Sequence, residues 1–321
     1  MRAVVHTRYG PPEVLLVKDV PRPVPGDTQV LVKVLAASAN ALDWRPFTFP
    51  RFVVRLMDGG RSVPRDTSFG ADLAGRVEEV GAKVTQFKPG DEVFGVAPGA
   101  FAEYVCAPET TIALKPANVS FESAAASPVA GCTALQSLRD TGRLQPGQEV
   151  LINGASGGVG TFAVQIAKVF QARVTAVCST RNVDMAHSIG ANEVIDYTKE
   201  DFTRRPKQYD LIIAANGYQP LLHYLRALKP TGRCVVLGGA MAQVIPALLL
   251  GRLLSRIGSR KLQFMLANSN QQDLLVLAHL LEEGEVVPLI DKRYRLTEVP
   301  EAIRYLIEEH PRGKVIISTE A

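Results

Sequence analysis

The sequence predicts an α/β protein, in which a domain with a doubly wound parallel sheet accompanies a second domain, a discontinuous β-barrel. Three observations support this prediction. Short β-like runs, each closed by Pro or Gly turns, fill the N-terminal part. From about residue 126, helical stretches alternate with fully apolar strands, which is typical of a parallel sheet with helices on both faces. A glycine-rich loop joins the first of these strands to its helix.

The N-terminal part contains four short runs with strand character. They are residues 30–35, 75–81, 91–95 and 101–105. Turns such as Pro25-Gly26-Asp27 and Pro89-Gly90 precede two of them. Short strands at this spacing predict a small irregular β-barrel.

The second part alternates strands with helices. The strands are predicted at 149–154, 173–178, 193–196, 209–215, 232–238 and 261–266. The helices are predicted at about 158–170, 182–189, 220–228, 245–256 and 273–283. Six strands in this arrangement indicate a dinucleotide-binding doubly wound fold.

The chain after Gly284 has β texture again. It predicts an extended stretch over 288–296, a helix over 299–309 and a final strand over 313–318. We expect this tail to return to the barrel. The predicted domains are therefore residues 1–125 with 285–321, and residues 126–284.

Composition excludes several classes of protein. With 46% hydrophobic and 21% charged residues over 321 positions, the chain has the composition of about two globular domains, not of a disordered chain or a coiled coil. The net charge of +4 is spread along the sequence, which argues against a dedicated nucleic-acid binder. The four cysteines are far apart, so neither a zinc ribbon nor a disulfide scaffold is indicated, and a reducing compartment is expected.

No targeting or membrane-spanning segment is evident from the sequence. The most apolar stretch, residues 244–254, is interrupted by Arg252 and is shorter than the ~20 apolar residues that a spanning helix needs. We expect a cytoplasmic protein with no membrane partner.

The glycine loop is the strongest chemical signal. The apolar strand from Glu149 runs into Gly154-Ala155-Ser156-Gly157-Gly158-Val159-Gly160, and an amphipathic helix follows. A helix N-terminus offers unpaired N–H groups and a positive dipole end, which suit a pyrophosphate. Glycines at 157 and 158 permit close approach of the phosphates, and Gly160 permits tight packing of the helix. The alternative is a tight structural turn that opens a core helix.

The end of the second apolar strand bears on cofactor preference. NAD-binding proteins usually place Asp or Glu there, whereas this chain has Ser179 and Arg181, which can donate hydrogen bonds to a 2′-phosphate. NADPH is therefore the expected cofactor. Asp184 is counter-evidence, although it lies in the next helix. The alternative is that Ser179 caps that helix and Arg181 is merely solvated.

Co-linear motifs extend over essentially the whole chain. They are Ala37 to Arg45, Gly70 to Val77, Phe87 to Gly95, Gly131-Cys132-Thr133-Ala134-Leu135, the glycine loop and Gly313-Lys314-Val315-Ile316. In these motifs the chain resembles the medium-chain dehydrogenase/reductase superfamily, and most closely its zinc-independent quinone oxidoreductase branch. The resemblance implies a GroES-like barrel domain interrupted by a Rossmann domain.

The resemblance also implies that no catalytic zinc is bound. Zinc-dependent members have Cys in the first motif and a His-Glu pair in the second, whereas this chain has Asn40 and Ala71-Asp72. Three protein ligands are needed for a catalytic zinc, and these positions do not supply them. The five histidines are scattered without ligand spacing.

The remaining chemistry is hydride transfer from NADPH to a quinone or to an activated C=C bond of an enone or enal. The resemblance places Asn40, Asp43 and Arg45 beside the nicotinamide, with Asn40 as a donor to the substrate carbonyl and Arg45 as a stabiliser of the anion. Asp43 is expected to orient its neighbours. Aromatic side chains form either an apolar substrate slot or ordinary barrel core. They are Trp44, Phe47, Phe49 and Phe52. No proton donor is evident.

The resemblance further implies cofactor contacts at matching positions. Together with the loop residues they are Thr133, Ser156, Gly157, Gly158, Val159, Ser179, Arg181, Tyr197, Asn216, Leu237, Gly238, Gly239, Phe264, Met265, Leu266 and Lys314. Lys314 is alternatively a solvated surface lysine. The arginine-rich segment 51–68 is interpreted as a loop over the site or as a solvated face.

Other functions remain open at this point. One is a non-catalytic NADPH-binding redox sensor or scaffold, and another is an alcohol dehydrogenase-like enzyme acting on a different carbonyl. An RNA-binding role would depend on the short basic cluster at 204–207. Members of the family usually dimerise through the edge of the cofactor-domain sheet, which here is 261–267, so a homodimer is expected.

Overall fold

The computed structural model describes residues 1–6, 8, 10–48, 68–204, 206–257 and 259–319, without the side chains of residues 45, 46, 48 and 252–257. In the described part, the strands are β1 (Arg2–His6), β2 (Leu15–Asp19), β3 (Gln29–Ala39), β4 (Asp72–Val80), β5 (Glu92–Val96), β6 (Tyr104–Pro108), β7 (Ile112–Leu114), β8 (Glu149–Asn153), β9 (Arg173–Cys178), β10 (Glu193–Asp196), β11 (Tyr209–Ala214), β12 (Leu228–Val236), β13 (Lys261–Phe264), β14 (Ile290–Arg295) and β15 (Lys314–Ser318). The α-helices are α1 (Ala41–Thr48), α2 (Phe121–Ala125), α3 (Pro128–Gln136), α4 (Gly158–Val169), α5 (Val183–Ser188), α6 (Leu221–Ala227), α7 (Met241–Ile257), α8 (Gln271–Glu282) and α9 (Val299–Glu308).

The chain divides into two compact units. The first comprises residues 1–129, 269–284 and 290–321, and the second comprises 130–268 and 285–289. This division gives helix α8 to the first unit, although the sequence pattern groups it with the nucleotide-binding part. The Gln271 side chain at the start of α8 donates to the carbonyl oxygens of Glu109 and Ile112, which flank the start of β7.

The first unit is built on a sheet of mixed direction. Its path is β14-β15-β3-β4-β5-β7, with β6 also paired to β3. The tail strand β15 lies between β14 and β3, parallel to the former and antiparallel to the latter. Its inward-facing residues join a core of Val, Leu, Ile and Phe side chains. The C-terminal segment is therefore an internal part of this sheet, as the return of the tail predicts.

The second unit contains a sheet of six parallel strands in the order β10-β9-β8-β11-β12-β13. Consecutive strands leave from the centre, β8, first to one side and then to the other. This is the strand order of a doubly wound dinucleotide-binding domain, with its switch point beside β8. The structure confirms the predicted fold class. No helix among the described residues is long and apolar enough to cross a membrane.

Candidate functional site

The carboxyl ends of the six parallel strands gather most of the predicted cofactor residues at one sheet edge. Ligands bind at this edge in open α/β sheets. The residues directly after the strands are Ser156 to Val159 after β8, Ser179 and Arg181 after β9, Tyr197 after β10, Asn216 after β11 and Leu237 to Gly239 after β12, while Phe264 ends β13 and Met265 and Leu266 follow it. Thr133 lies on α3. The residues of the second unit named from the sequence thus share one edge, apart from Thr133, which lies on a helix.

The turn from β8 into α4 needs glycine at two places for internal reasons. Gly154 has a φ of 82°, and a Cβ there would lie 2.8 Å from the Asn216 backbone nitrogen. A Cβ on Gly160 would lie 2.1 Å from the Gly154 carbonyl oxygen. These two glycines allow the loop and helix to approach each other closely. Two of the four glycines in the loop are thus explained by packing within the protein, without any ligand.

Gly157 is different, because the protein itself does not require a glycine there. It has φ −82° and ψ 175°, which any residue adopts, and a Cβ would meet just the Gly154 carbonyl oxygen at an ordinary 3.6 Å. Gly157 is the N-cap of α4 and supplies no side-chain cap, so the first-turn N–H groups face the space left beside it. Open space at an uncapped helix N-terminus fits the pyrophosphate of a dinucleotide.

The tip of β9 carries the expected donors and also an acidic neighbour that the sequence analysis missed. Ser179 is half-buried and accepts a hydrogen bond from Asn182 Nδ2 at 3.2 Å, and Arg181 is exposed. Asp196, at the end of β10, pairs in register with Cys178. A carboxylate therefore does stand next to this tip, contributed by the adjacent strand.

Asp196 is engaged by its own surroundings. Its carboxylate accepts hydrogen bonds from Thr180 Oγ1 at 2.5 Å and from Thr198 Oγ1 at 2.7 Å, and Lys199 Nζ lies 3.4 Å away. The hydrogen bond from Thr180, with those from Thr198 and Lys199, lowers its pKa to about 2. The ionised carboxylate thus fixes the turn that carries Ser179 and Arg181, and Lys199 partly balances its charge.

A buried polar network beneath the sheet edge also went unpredicted. Asn153 Nδ2 donates to the Tyr224 hydroxyl at 2.8 Å, and that hydroxyl donates to Gln243 Oε1 at 3.0 Å. Gln243 Nε2 in turn donates to the Gly238 carbonyl oxygen at 2.9 Å. The network anchors the loop after β12 to the end of β8. The sequence signal for this network was Asn153, a polar residue at the end of the apolar strand β8.

The first unit contains a second group of polar residues, centred on Asp72 at the start of β4. Its Oδ2 atom accepts hydrogen bonds from Ser38 Oγ at 2.9 Å, Asn40 Nδ2 at 2.9 Å and Lys314 Nζ at 3.3 Å. Its Oδ1 atom accepts from the Val129 backbone N–H at 3.0 Å. Asp72 is 0% exposed, so each of these bonds is made away from water. The sequence analysis considered Asp72 only as a position that lacks a zinc ligand. Its four hydrogen-bond donors come from parts of the chain that are distant from it in sequence.

Asn40 has both of its side-chain hydrogens committed within this group. Nδ2 donates to Asp72 and to the Ser38 carbonyl oxygen, and Oδ1 accepts from Lys314 Nζ at 2.5 Å. An amide has two N–H donors, so this arrangement leaves none for a substrate carbonyl. A donor role of Asn40 toward the substrate would require one of these bonds to be exchanged, and it stays a prediction.

Lys314 is buried, which excludes the alternative of a solvated surface lysine. Burial lowers its pKa, while the nearby Asp72 carboxylate opposes that shift. The ammonium bonds Asn40 and Asp72 of the first unit. Its predicted contact with the cofactor stays a prediction.

Asp43 fixes the start of α1. Its Oδ2 accepts a hydrogen bond from the Asn40 backbone N–H at 2.7 Å. A carboxylate in the first turn of the helix thus satisfies the backbone N–H of Asn40, the residue that precedes the helix. Burial raises the pKa of Asp43 to about 7, and the Asp72 carboxylate adds to the rise. Asp43 therefore holds the start of α1, and its part in orienting its neighbours at the active site stays a prediction.

The aromatic residues near this cluster divide between core and undescribed segments. Trp44 and Phe47 pack against the core of the first unit, and the Phe47 and Phe69 rings lie 5.8 Å apart. Phe49, Phe52 and the arginine-rich segment up to residue 67 lie outside the described residues, as does the Arg45 side chain. Within the described part of the chain, no group of three or more His, Cys, Asp or Glu residues has the arrangement of a metal site.

Two family profiles match the chain. A profile described as "Alcohol dehydrogenase GroES-like domain" matches residues 26–117, and one described as "Zinc-binding dehydrogenase" matches residues 189–317. The first falls within the first unit, and the second begins in the nucleotide-binding unit and continues into the tail.

Several known proteins are similar over nearly the whole of this chain. "Quinone-oxidoreductase QR1, chloroplastic" of Triphysaria versicolor is 32% identical, over 99% of this chain and 98% of its own. "NADPH-dependent alkenal/one oxidoreductase, chloroplastic" of Arabidopsis thaliana is 33% identical, over 99% of this chain and 79% of its own.

Solved structures agree with this similarity. A quinone oxidoreductase from Coxiella burnetii has a TM-score of 0.87 and 32% identity, covering 100% of this chain and 99% of that one. A structure titled "NAD-dependent alcohol dehydrogenase" has a TM-score of 0.85 and 31% identity, covering 100% of both chains. The names of these two proteins indicate different substrate classes.

Proposed function

The chain belongs to the medium-chain dehydrogenase/reductase superfamily, in its zinc-independent quinone oxidoreductase-like branch, and is an oxidoreductase of that type; from this premise we propose that it is an NADPH-dependent reductase of quinones or of activated C=C bonds. The relatives are named as quinone, alkenal and enone reductases, which supports this substrate class.

The observation that carries the proposal is the open space beside Gly157 at the N-terminus of α4, on the sheet edge where Ser179 and Arg181 also lie. A side chain at 157 would fill it, and nothing in the fold forbids that side chain. When bound, NADPH supplies a hydride to the substrate. The uncapped N–H groups of α4 would hold its pyrophosphate. Ser179 and Arg181 would donate to the 2′-phosphate, and the guanidinium is suited to bidentate contact.

We propose that the reductase works without zinc. The two motif positions that matter, Asn40 and Asp72, are already bonded to the ammonium of Lys314. A second cation at the same oxygens would meet the repulsion of this buried charge. Quinones and enones accept hydride when a hydrogen-bond donor polarises the carbonyl oxygen, so the proposed substrates suit a metal-free site.

The test is anaerobic consumption of NADPH with a panel of quinones and enones, with NADH in parallel and a chelator present. We expect turnover that survives chelation and prefers NADPH. In the Arg181→Ala variant, we expect KM for NADPH to rise by about ten- to a hundredfold, since a charge-assisted hydrogen bond contributes about 1.5–3 kcal/mol. KM for NADH should stay unchanged.

The same assay distinguishes the other functions. Loss of turnover with chelator would overturn the zinc-free assignment. Tight NADPH binding without consumption would favour a sensor or scaffold. Preference for NADH with an alcohol or aldehyde would favour the activity named for one structural neighbour, an NAD-dependent alcohol dehydrogenase.

We further propose a homodimer in the cytoplasm. Among the described residues the six-stranded sheet ends at β13, and an edge strand is a surface along which two copies of a chain can pair. The four cysteines, all of them in the described part of the chain, form no disulfide, and a reducing compartment such as the cytoplasm keeps thiols in this state.

A further inference from the structure

The polar group in the first unit contains a closed ring of hydrogen bonds. Lys314 Nζ donates to Asn40 Oδ1 at 2.5 Å and to Asp72 Oδ2 at 3.3 Å, and Asn40 Nδ2 donates to the same Asp72 oxygen at 2.9 Å. Each of the three side chains is therefore bonded to the other two. We call this set the Lys314–Asn40–Asp72 ring.

The ring permits one orientation of the Asn40 amide. If the amide were turned over, its NH₂ group would face the ammonium of Lys314, and two donors would meet without an acceptor. Asp72 would then lose its amide donor as well. The charges on Lys314 and Asp72 thus fix the orientation of the Asn40 amide, which lies between them.

The ring also holds the turn from β3 into α1. Asn40 ends that turn, and its backbone N–H donates to Asp43 Oδ2 at 2.7 Å. Lys314 comes from β15 and Asp72 from the start of β4, so three separate strands converge on this turn. All three ring residues and Asp43 are buried; Asn40 has the largest exposed fraction of the four, at 7%.

Burial of these charges argues for a role beyond stability. Buried ion pairs are often no more stabilising than apolar residues of the same volume, because desolvation offsets their attraction. An apolar core at this position would hold the sheet together equally well. It would not fix the Asn40 amide or place a charge beside Asp43.

We propose that Asp72 and Lys314 are positioning residues of the reductase, which hold Asn40 and Asp43 in the arrangement that turnover requires. This inference rests on the proposed function. In this proposal the pair acts through the ring, which takes the place of the cofactor contact that the resemblance implies for Lys314.

The test compares kcat and KM in Lys314→Met and Asp72→Asn variants of the full chain, with NADPH and the best substrate of the panel. We expect kcat to fall by at least about tenfold in each variant, because small displacements of a site residue have effects of this size. KM for NADPH should stay within about twofold of wild type. The double variant should be no slower than the worse single variant, since either change opens the ring.

The pH profile supplies a readout that loss of packing would not change. The groups that act on Asp43 are Asp72, whose charge raises its pKa, and Lys314, whose charge lowers it. If turnover follows the charge of Asp43, Lys314→Met should move the profile to higher pH, and Asp72→Asn should move it to lower pH. Shifts in the same direction would contradict the ring's role.

Lys115→Met is the matched control. Lys115 is also a buried lysine of the first unit, and its ammonium lies 3.1 Å from Glu92 and donates to the Pro116 and Val119 carbonyl oxygens. Its removal should lower thermal stability and leave kcat unchanged. Equal losses of kcat in this control and in the ring variants would overturn the inference.

Ser38→Ala removes one hydrogen bond to Asp72 and serves if the larger changes prevent folding. A folded Ser38→Ala protein should show lower kcat with unchanged KM for NADPH. Full kcat in the folded ring variants, or in Ser38→Ala where those do not fold, would overturn the inference. Absence of any wild-type turnover would overturn the proposed function, and the inference with it, before any variant is compared.

Discussion

Asp43 makes stability depend on pH in a direction opposite to that of most carboxylates. Its ordinary value is 3.8, and burial raises the pKa to about 7 in the folded protein. Between these values the folded state binds more protons than the unfolded state. Stability contributed at this site therefore falls as pH rises from about 4 to about 7 and stays low above that range.

We expect Asp43→Asn to remove this loss. Compared with wild type, the variant should gain free energy of unfolding at pH 8 and gain little or none at pH 4. With about 1.4 kcal/mol for each pKa unit, the gain at pH 8 is at most about 4 kcal/mol. Urea unfolding at a series of pH values measures it.

Leu42→Ala is a suitable control for this experiment. Leu42 is an exposed neighbour on the same helix, so its effect on stability should not vary with pH. A difference between Asp43→Asn and wild type that is constant from pH 4 to pH 8 would contradict the raised pKa.

The polar cluster around Asp72 and the polar residues at the tip of β9 show which site residues can be found from the sequence alone. It selected Asn40 and Asp43 as site residues, and the structure brings both into one buried cluster. It did not identify Asp72 as the hub, because the donors Ser38 and Lys314 lie 34 and 242 positions away in sequence. Asp196 was overlooked for the same reason: it reaches the tip of β9 through strand pairing, which a linear reading does not show.

At the scale of elements, the parallel strands were predicted to within a few residues because most of them contain a buried apolar run. Strands β9 and β10 have the predicted bounds. The largest difference is in β12, which begins at Leu228, four residues before the predicted start. Residues 229–231 of that added stretch include Pro230 and carry little apolar signal; β12 pairs with β11 at Leu228 and again from Arg233, with a register shift between the two.

The β8–α4 element contains two glycines that should respond differently to the same substitution. Gly160→Ala places a Cβ 2.1 Å from the Gly154 carbonyl oxygen, so the backbone must shift. We expect a loss of about 1–3 kcal/mol in the free energy of unfolding. Gly157→Ala meets no such contact and should lose no more than about 1 kcal/mol, as for an N-cap change.

NADPH affinity should show the reverse order. Gly157→Ala fills the space beside the helix N-terminus, so its Kd for NADPH should rise by more than that of folded Gly160→Ala. Fluorescence titration of NADPH and denaturant unfolding of both variants measure the two effects. Unchanged NADPH binding in Gly157→Ala would place the pyrophosphate elsewhere.

For the whole molecule, sequence texture predicted a discontinuous first domain but not its full extent. The return of β15 to the sheet follows the prediction. Residues 269–284 were grouped with the nucleotide-binding part because a helix follows a strand there, and amphipathic spacing does not specify which sheet a helix covers. The contacts of Gln271 near β7 determine its actual place.

Self-association is the remaining expectation at this scale. Strand β13 pairs with β12 on one side, and Gln263 on it is exposed. In a two-fold strand pair the same residues of both copies approach one another, so a new charge at Gln263 would face its own copy. Asp is also a poor strand former.

We therefore expect wild-type protein to have twice the mass of the 34.7 kDa chain in light scattering, and Gln263→Asp to shift the mass towards that of the monomer. Thermal unfolding of Gln263→Asp at low concentration should match that of wild type diluted to the monomer. A wild-type monomer at all concentrations would contradict the dimer, and a Gln263→Asp dimer would place the interface on another surface.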